Sequence, residues 1–497
     1  MNYRELQNGE KMRIAFLFQM ASFWPSWESF YYACVSDDRF DVRLYYVNDG
    51  VDTSMQTESA ERFLIEQKIL YIPFSDDDFE TFCPHVAVLQ TPYEYYHRKP
   101  HLYAIRLKQI GIRVVYIPYG IELADTKAAR HDHFREPVIK NAWRIYTMSE
   151  SFAKEYGKYC ANFSAVRALG LPRFDALIDH KKFVLPNNVL EKANGRKIII
   201  WHVHFAKMIL DSGVEKQVTP YLEEYIEFAE KLADYQDELF FIFLPHPRFG
   251  DDAVNEANNK KSAKLLEIIG SAKNTYIDRA DDYRPSLLNA DAIITDRSAL
   301  MIESAVTGIP VLYLENADYK EPIFPPLVPL VKSYYQGTGN DDMVKFLDMV
   351  RKGDDEKKSA RETALREYIP YTDGKCAERI KEDILTSNSE KPEQRKEKII
   401  IFGTGFLYKK IMSFYEFPNS CEIIALSDND CDKWHKELDG IQVVPPEQIN
   451  TLDFDKIIIM ATTVLEEQIY KQLRFDLEIP GNKIENCEYL AVLQEIL

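Results

Sequence analysis

Three things are scarce in this sequence. Cysteine is the first: seven occur in 497 residues, and no two form a C-x-x-C pair. Cys34, Cys83, Cys160, Cys376, Cys421, Cys431 and Cys487 are scattered, which excludes a zinc ribbon or a disulfide framework and fits a reducing compartment. Long apolar runs are the second. No stretch approaches the ~20 residues that a membrane span needs. The N-terminus opens polar, from Asn2 to Lys11, without the apolar core of a signal peptide. Positive charge is the third. Lys and Arg number 61 against 79 Asp and Glu, a formal net charge of −18. Nucleic-acid phosphates call for clustered cations, so a general nucleic-acid binder is excluded. A nucleotide substrate is not, because it needs only one local anion site. No long basic patch is present for docking on anionic lipid. The expected location is cytoplasmic, with peripheral contact at the inner face of the cell membrane left open.

What is present is globular: 46% hydrophobic and 28% charged, with length for about three domains. Apolar segments of strand length recur at Arg13 to Phe18, Val42 to Val47, Val86 to Leu89 and Val114 to Ile117. Longer segments of helical period separate them. This alternation predicts α/β architecture with parallel sheets and crossover helices. Strands without polar alternation suit a sheet covered on both faces. A second set runs Ile198 to Trp201, Leu239 to Leu244, Thr275 to Ile277, Ala292 to Thr295 and Val311 to Leu314. Between its first two members, Leu222, Tyr225, Ile226, Ala229, Leu232 and Ala233 predict one apolar helix face. The charged stretch 386–397 reads as a linker. The expected division is therefore 12–185 and 186–385 as two Rossmann-like domains, and 398–497 as a third, smaller one.

Three segments of the middle domain point to chemistry. The strand ending at Thr295 is followed by Asp296-Arg297-Ser298 and then by a helix that Gly308 stops. Free N–H groups and the positive dipole end at a helix start attract phosphate. Ser298 adds a hydroxyl there and Arg297 a charge; capping by Asp296 or Ser298 alone would also fit the spacing. The turn lies at the C-terminal end of a parallel strand, where open α/β sheets bind ligands. Pro245-His246-Pro247-Arg248 follows another strand. A histidine between prolines there suits phosphate donation or acid–base work, and Arg248 suits an anion. Trp201-His202-Val203-His204-Phe205 ends the domain's first strand. His-x-His lacks an evident third and fourth ligand, so no metal site is expected. Only one of the two rings is expected at a cleft.

The other domains carry weaker signals. Trp24, Trp27 and the run Thr91 to His101 place aromatics after strands, suited equally to packing under loops and to a polyol or sugar acceptor. In the third domain, Gly403-Thr-Gly405 opens a helix and Asp428 ends the next strand. That is the start of a nucleotide fingerprint, but Tyr408 stands where its third glycine would be. A docking or regulatory module fits better than a bound dinucleotide.

Read together, these segments resemble the CDP-glycerol:poly(glycerophosphate) glycerophosphotransferase family. Gly170-Leu-Pro-Arg173-Phe-Asp175, Trp201 to Phe205, His246-Pro, Thr295-Asp-x-Ser298, Thr307-Gly-x-Pro310, Ser333-Tyr-Tyr335 and Gly353-Asp354 follow the family's order. The resemblance covers roughly residues 12–385. It implies a GT-B fold, a CDP-activated polyol donor in the second domain, a surface-polymer hydroxyl as acceptor, lipid-linked or polymeric, and CMP as leaving group. It implies His246 in catalysis, with Arg173, Gly120, Asp296, Arg297 and Ser298 at the substrates, and no required cofactor. Two positions depart from the family. Its His-Gly pair, whose histidine is the proposed base, reads Tyr119-Gly120 here, and a tyrosine is a poor base at neutral pH. Glu122 or His204 are the substitutes in sequence. The second serine of Asp-x-Ser-Ser is Ala299. These departures resemble a divergent subgroup acting on capsule or other surface polymers. A sugar-nucleotide glycosyltransferase and a non-catalytic scaffold remain the alternative readings, since one fold hosts many chemistries.

Overall fold

The computed structural model describes every residue except 1–2, 49–56, 161, 179–182, 206, 212–213, 220–221, 247–248, 251–255, 317–320, 389–395, 414–416, 418–420 and 488–497. Its first sheet has seven strands: β1 (Met12–Phe18), β2 (Phe40–Tyr46), β3 (Ile72–Pro73), β4 (Val86–Leu89), β5 (Arg113–Tyr116), β6 (Arg144–Thr147) and β7 (Val166–Ala168). Their order is β3-β2-β1-β4-β5-β6-β7, and every pairing is parallel. Ile14 to Phe18 and Val86 to Leu89 are fully buried, as helices on both faces require.

The second sheet repeats the plan. Its strands are β8 (Lys197–Val203), β11 (Leu239–Pro245), β12 (Thr275–Ile277), β13 (Ala292–Thr295), β14 (Val311–Leu314) and β15 (Tyr335–Gly337), in the order β12-β11-β8-β13-β14-β15, all parallel. A separate antiparallel hairpin, β9 (Lys207–Asp211) and β10 (Val214–Thr219), follows β8. Its one apolar run, Met208 to Leu210, is too short to single it out in the sequence. The third sheet is mixed: β16 (Glu397–Phe402), β17 (Cys421–Ser427), β18 (Glu437–Leu438), β19 (Ile441–Val444), β20 (Lys456–Ile459) and β21 (Ile484–Asn486), ordered β18-β19-β17-β16-β20-β21, with only β18 running antiparallel to its neighbour. No helix among the described residues is long and apolar enough to cross a membrane.

Some expectations need correction. The helix after β10 stops at Ala229, and a tighter turn covers Leu232–Tyr235. The change of period turns Ala233 out to solvent while Leu232 stays buried. Trp24 and Trp27 are core residues, 2% and 0% exposed. Trp27 packs edge-on to Phe16 at 5.4 Å. The helix Cys376–Ser387 runs two residues into the stretch read as linker, and β16 starts at Glu397.

One apolar core joins the first two sheets: Ile200, Ile242, Ile293 and Met301 belong to the same buried cluster as Ile14, Val88 and Ile145. The segment Gly170 to Asp175 fastens these halves. Gly170 adopts φ +90°, and a Cβ there would collide with Cys376 Sγ and meet Tyr371 Cβ at 2.7 Å. Asp175 accepts from the backbone N–H groups of Cys376 (2.9 Å) and Ala377 (2.8 Å). That caps the helix Cys376–Ser387, which returns from the second half to pack on the first. There Tyr146 Oη donates to Asp383 at 2.8 Å, and Lys381 pairs with Asp37 at 3.0 Å. Arg173 pairs with Glu303 at 2.9 Å, both buried, and donates to the Tyr119 carbonyl at 2.6 Å. Arg284 of the second half pairs likewise with Glu28 of the first. The third sheet docks on the first half, with Lys140 to Glu485 at 3.4 Å in a buried contact.

Removing one member of a buried pair leaves a lone charge in low dielectric, at about 3–5 kcal/mol. Arg173→Met is therefore expected to lower the thermal midpoint sharply. Adding Glu303→Gln should restore part of the loss, because the stranded carboxylate is then neutral. Calorimetry of wild type and the two variants checks this; equal midpoints for wild type and Arg173→Met would contradict it.

Candidate functional site

In an open α/β sheet the ligand crevice lies where strand order reverses. In the first sheet that point falls between β1 and β4, and the protein fills it. The N–H groups of Gln19 and Met20 both donate to Gln90 Oε1 at 2.8 Å, and Gln90 Nε2 donates back to the Met20 carbonyl at 2.8 Å. Arg98, fully buried, donates to the Thr91 carbonyl at 2.7 Å. The amides that could cradle a phosphate here already have partners.

The second sheet reverses between β8 and β13, and the residues singled out in sequence converge there. Asp296 is 1% exposed. Its two carboxyl oxygens lie 3.0 and 3.1 Å from the His204 N–H, tying the ends of the two strands together. Burial pushes its carboxyl up to about 8, against the opposing effect of that N–H. Asp296 thus positions the loop from within. His202 points into the core: its Nδ1 lies 2.6 Å from the Leu244 carbonyl, and burial lowers the ring to about 4. His204 stands one residue past the end of β8, where the chain leaves the strand. Its ring lies 4.3 Å from that of Phe205 and 4.7 Å from that of His246. Burial, then the neighbouring His246, holds it well below the usual histidine range. His246 is half-buried, its N–H donating to the Val203 carbonyl at 2.8 Å. Arg248 lies outside the described residues.

Beside these rings runs the turn 297–299, half-buried, before the helix Leu300–Thr307. Ser298 Oγ accepts from the Leu300 N–H at 3.3 Å, and Gly308 ends the helix at φ +84°. Ala299 precedes the helix as its cap residue and adds no side-chain hydrogen bond. Arg297 is paired with Glu321. From Glu321 the chain crosses to the first half: Asp125 N–H donates to the Pro322 carbonyl at 2.9 Å, Phe324 N–H to the Leu123 carbonyl at 2.8 Å, and Ala124 bridges Ile323 antiparallel.

This strap closes one side of a crevice in the first half, lined by Gly120, Glu122, His133, Tyr156 and Phe324 among others. Glu122 is 7% exposed; one carboxyl oxygen accepts from the Ala124 N–H at 2.6 Å and the other meets His133 Nε2. Tyr119 stacks on Phe23, ring centroids 4.0 Å apart, and donates to Tyr93 Oη at 3.3 Å. Burial raises its phenol, so it stays protonated at neutral pH. Gly120 faces open space, with nothing within 4 Å of an added Cβ. His133 is the residue that sequence reasoning missed. Glu122 lies outside the helix Lys127–Phe134 that carries His133, so no regular spacing joins them and only the fold shows the contact.

His131, Asp132 and Glu136 bring three ligand atoms within 4.8 Å of one another. The two carboxylates, Asp132 foremost, hold His131 up at about 9. At neutral pH that ring carries a proton rather than offering a lone pair. In the third sheet Asp428 accepts from the Thr404 N–H at 2.8 Å and from Lys433 Nζ at 2.9 Å, and its other oxygen accepts from the Asp430 N–H at 3.0 Å. Gly403 is there for close packing, since an added Cβ would meet the Met460 carbonyl at 2.7 Å. Gly405 opens the following helix, with no contact within 4 Å of an added Cβ.

The sequence profile of the CDP-glycerol:poly(glycerophosphate) glycerophosphotransferase family matches residues 107–386, more than half of the chain. The chain belongs to that family. It is thus a glycerophosphotransferase-type enzyme with two Rossmann-like halves in a GT-B-like arrangement. A second profile, C2185-like, N-terminal, matches residues 395–485. No curated protein matches. Among solved structures, a UDP-N-acetylglucosamine 2-epimerase is similar at 13% identity and TM-score 0.54, over 78% of this chain and 98% of that one. The enzyme of that name from Neisseria meningitidis, bound to UDP-GlcNAc, gives 13% and 0.52, over 76% and 100%. At these identities the likeness is one of fold. The wall teichoic acid polymerase TagF aligns at 13% and TM-score 0.48, over 76% of this chain and 90% of that one.

Asp296 supplies a pH test. Its carboxyl binds a proton more tightly folded than unfolded, so the stability it contributes is full below about 4 and lost as pH rises through about 8. Asp296→Asn has no such proton to lose. The midpoint difference, wild type minus variant, is expected to shrink as pH rises from 5 to 8. Parallel melting profiles would contradict this.

Proposed function

We propose that this glycerophosphotransferase moves glycerol phosphate, or a related polyol phosphate, from a CDP-activated donor to a hydroxyl of a surface-polymer acceptor, releasing CMP. The observation that carries the reading is the convergence of His204, His246 and Ser298 at the strand-order reversal of the second sheet, while the equivalent point of the first sheet is filled by Gln19, Gln90 and Arg98. The donor is assigned to the second half, residues 186–385, and the acceptor to the first, 12–185. The third unit, 398–497, is assigned a docking role, since its Asp428 is engaged by its own chain. The work is expected in the cytoplasm or at the inner membrane face, on a lipid-linked or polymeric acceptor.

The chemistry follows from charge placement. The donor's diphosphate would meet His246, Ser298 and the start of the helix Leu300–Thr307, where the aligned peptide dipoles favour negative charge. Charge grows on the departing CMP phosphate in the transition state, and fixed donors there stabilise it without reorganising. Arg297 adds charge that Glu321 partly offsets.

The test is CMP release from CDP-glycerol, with and without a lipid-linked acceptor. Acceptor-stimulated release is expected for wild type. His246→Ala and Ser298→Ala should each lower kcat by ~100-fold, the scale of losing one transition-state donor. A wild type that turns over UDP-sugars but no CDP-polyol would contradict the reading.

A further inference from the structure

A hydroxyl that attacks phosphorus has to lose its proton, and the first half offers several groups in and around its crevice. Their surroundings separate them. Tyr119 keeps its proton because burial raises the phenol, and its hydroxyl already donates to Tyr93. His131 is protonated at neutral pH, held by Asp132 and Glu136. Glu122 has both oxygens engaged, one by the Ala124 N–H and one by His133. His97 is 6% exposed, inside the fold. His133 differs from all of these. Its side chain is 26% exposed, it lines the crevice, and its Nε2 sits against a carboxylate that is itself 6% exposed. A buried carboxylate set against one ring nitrogen orients an imidazole. The other nitrogen, Nδ1, is left to take a proton.

The position fits as well. The crevice wall includes Phe324, on the strap that runs back through Glu321 to Arg297 at the donor turn. Glu122 and Leu123 are consecutive, and Leu123 holds Phe324 by the backbone. The imidazole–carboxylate pair is thus fastened across the interdomain cleft to the turn that would hold the diphosphate.

Resting on the donor reading above, we propose that His133 is the catalytic base for the acceptor hydroxyl and that Glu122 is its positioning residue. In the step, the acceptor O–H gives its proton to His133 Nδ1. Its oxygen forms a bond to the phosphorus of the polyol phosphate, the bond from that phosphorus to the CMP oxygen breaks, and the electron pair leaves on CMP. No oxidant, reductant or further reactant enters.

The experiment measures acceptor-dependent CMP release from CDP-glycerol for wild type, His133→Gln, His133→Asn and Glu122→Gln, together with the thermal shift that CDP-glycerol gives each. General-base catalysis contributes on the order of 100-fold or more. Both His133 variants are expected to lose that much in kcat, with the CDP-glycerol shift unchanged. Glu122→Gln should lower kcat by ~10-fold or more, with the acceptor KM within about twofold of wild type, as expected when orientation and charge support of the base are lost. If wild type turns over CDP-glycerol and His133→Gln keeps its kcat, the dyad is overturned while the donor reading stands. If wild type releases no CMP from CDP-glycerol, the donor reading itself falls, and this proposal with it.

Discussion

The buried pair of Arg173 and Glu303 is the contact on which the rest of the site depends. Glu303 lies on the helix Leu300–Thr307, just after the turn that presents Ser298. Arg173 belongs to the first half and also holds the Tyr119 carbonyl beside the crevice. Tyr283 Oη donates to the other oxygen of Glu303 at 2.5 Å. One guanidinium therefore fixes the helix Leu300–Thr307 against the crevice of the first half. Burial opposes its charge most strongly, but Glu303, Tyr283 and Tyr119 together outweigh it and leave Arg173 raised. A displacement of about 1 Å at such a point can cost 100-fold in rate, which makes a buried strut bonded on both sides a better hinge of the geometry than a surface contact.

The same economy of positive charge runs through the site. The chain carries a net charge of −18, and burial holds His202 and His204 below the usual histidine range. A dianionic donor would there meet the His204 ring, the Ser298 hydroxyl and helix dipoles. Fixed dipoles in a dry crevice stabilise charge that develops during reaction, so a strongly acidic protein can still handle phosphate. The Glu321 to Phe324 strap adds a second link between the halves, tying the Glu122–His133 crevice to the turn at Arg297.

Much of this was legible in sequence, and the limits have physical causes. Long buried strands such as Arg13 to Phe18 and Leu239 to Leu244 declare themselves by unbroken apolar runs. β3, β15 and β18 are two or three residues long and carry no pattern. The hairpin β9–β10 is rich in charge, so periodicity cannot find it. The turn at Ser298 and the loop at His246 were readable because strand, turn and helix follow one another locally. The work of Gly170, Arg173 and Asp175 was not, because their partners Cys376 and Glu303 come from distant segments. His133 was silent for the same reason: its meaning lies in Glu122, and no local spacing joins them.

A crystal structure with CDP-glycerol bound tests the central claim most directly. The diphosphate is expected at the end of β13, within hydrogen-bonding distance of Ser298 Oγ and the His246 ring, with the polyol directed toward the Glu122–His133 crevice. A diphosphate seated on the first sheet, or on the Gly403-to-Asp428 edge of the third, would contradict it.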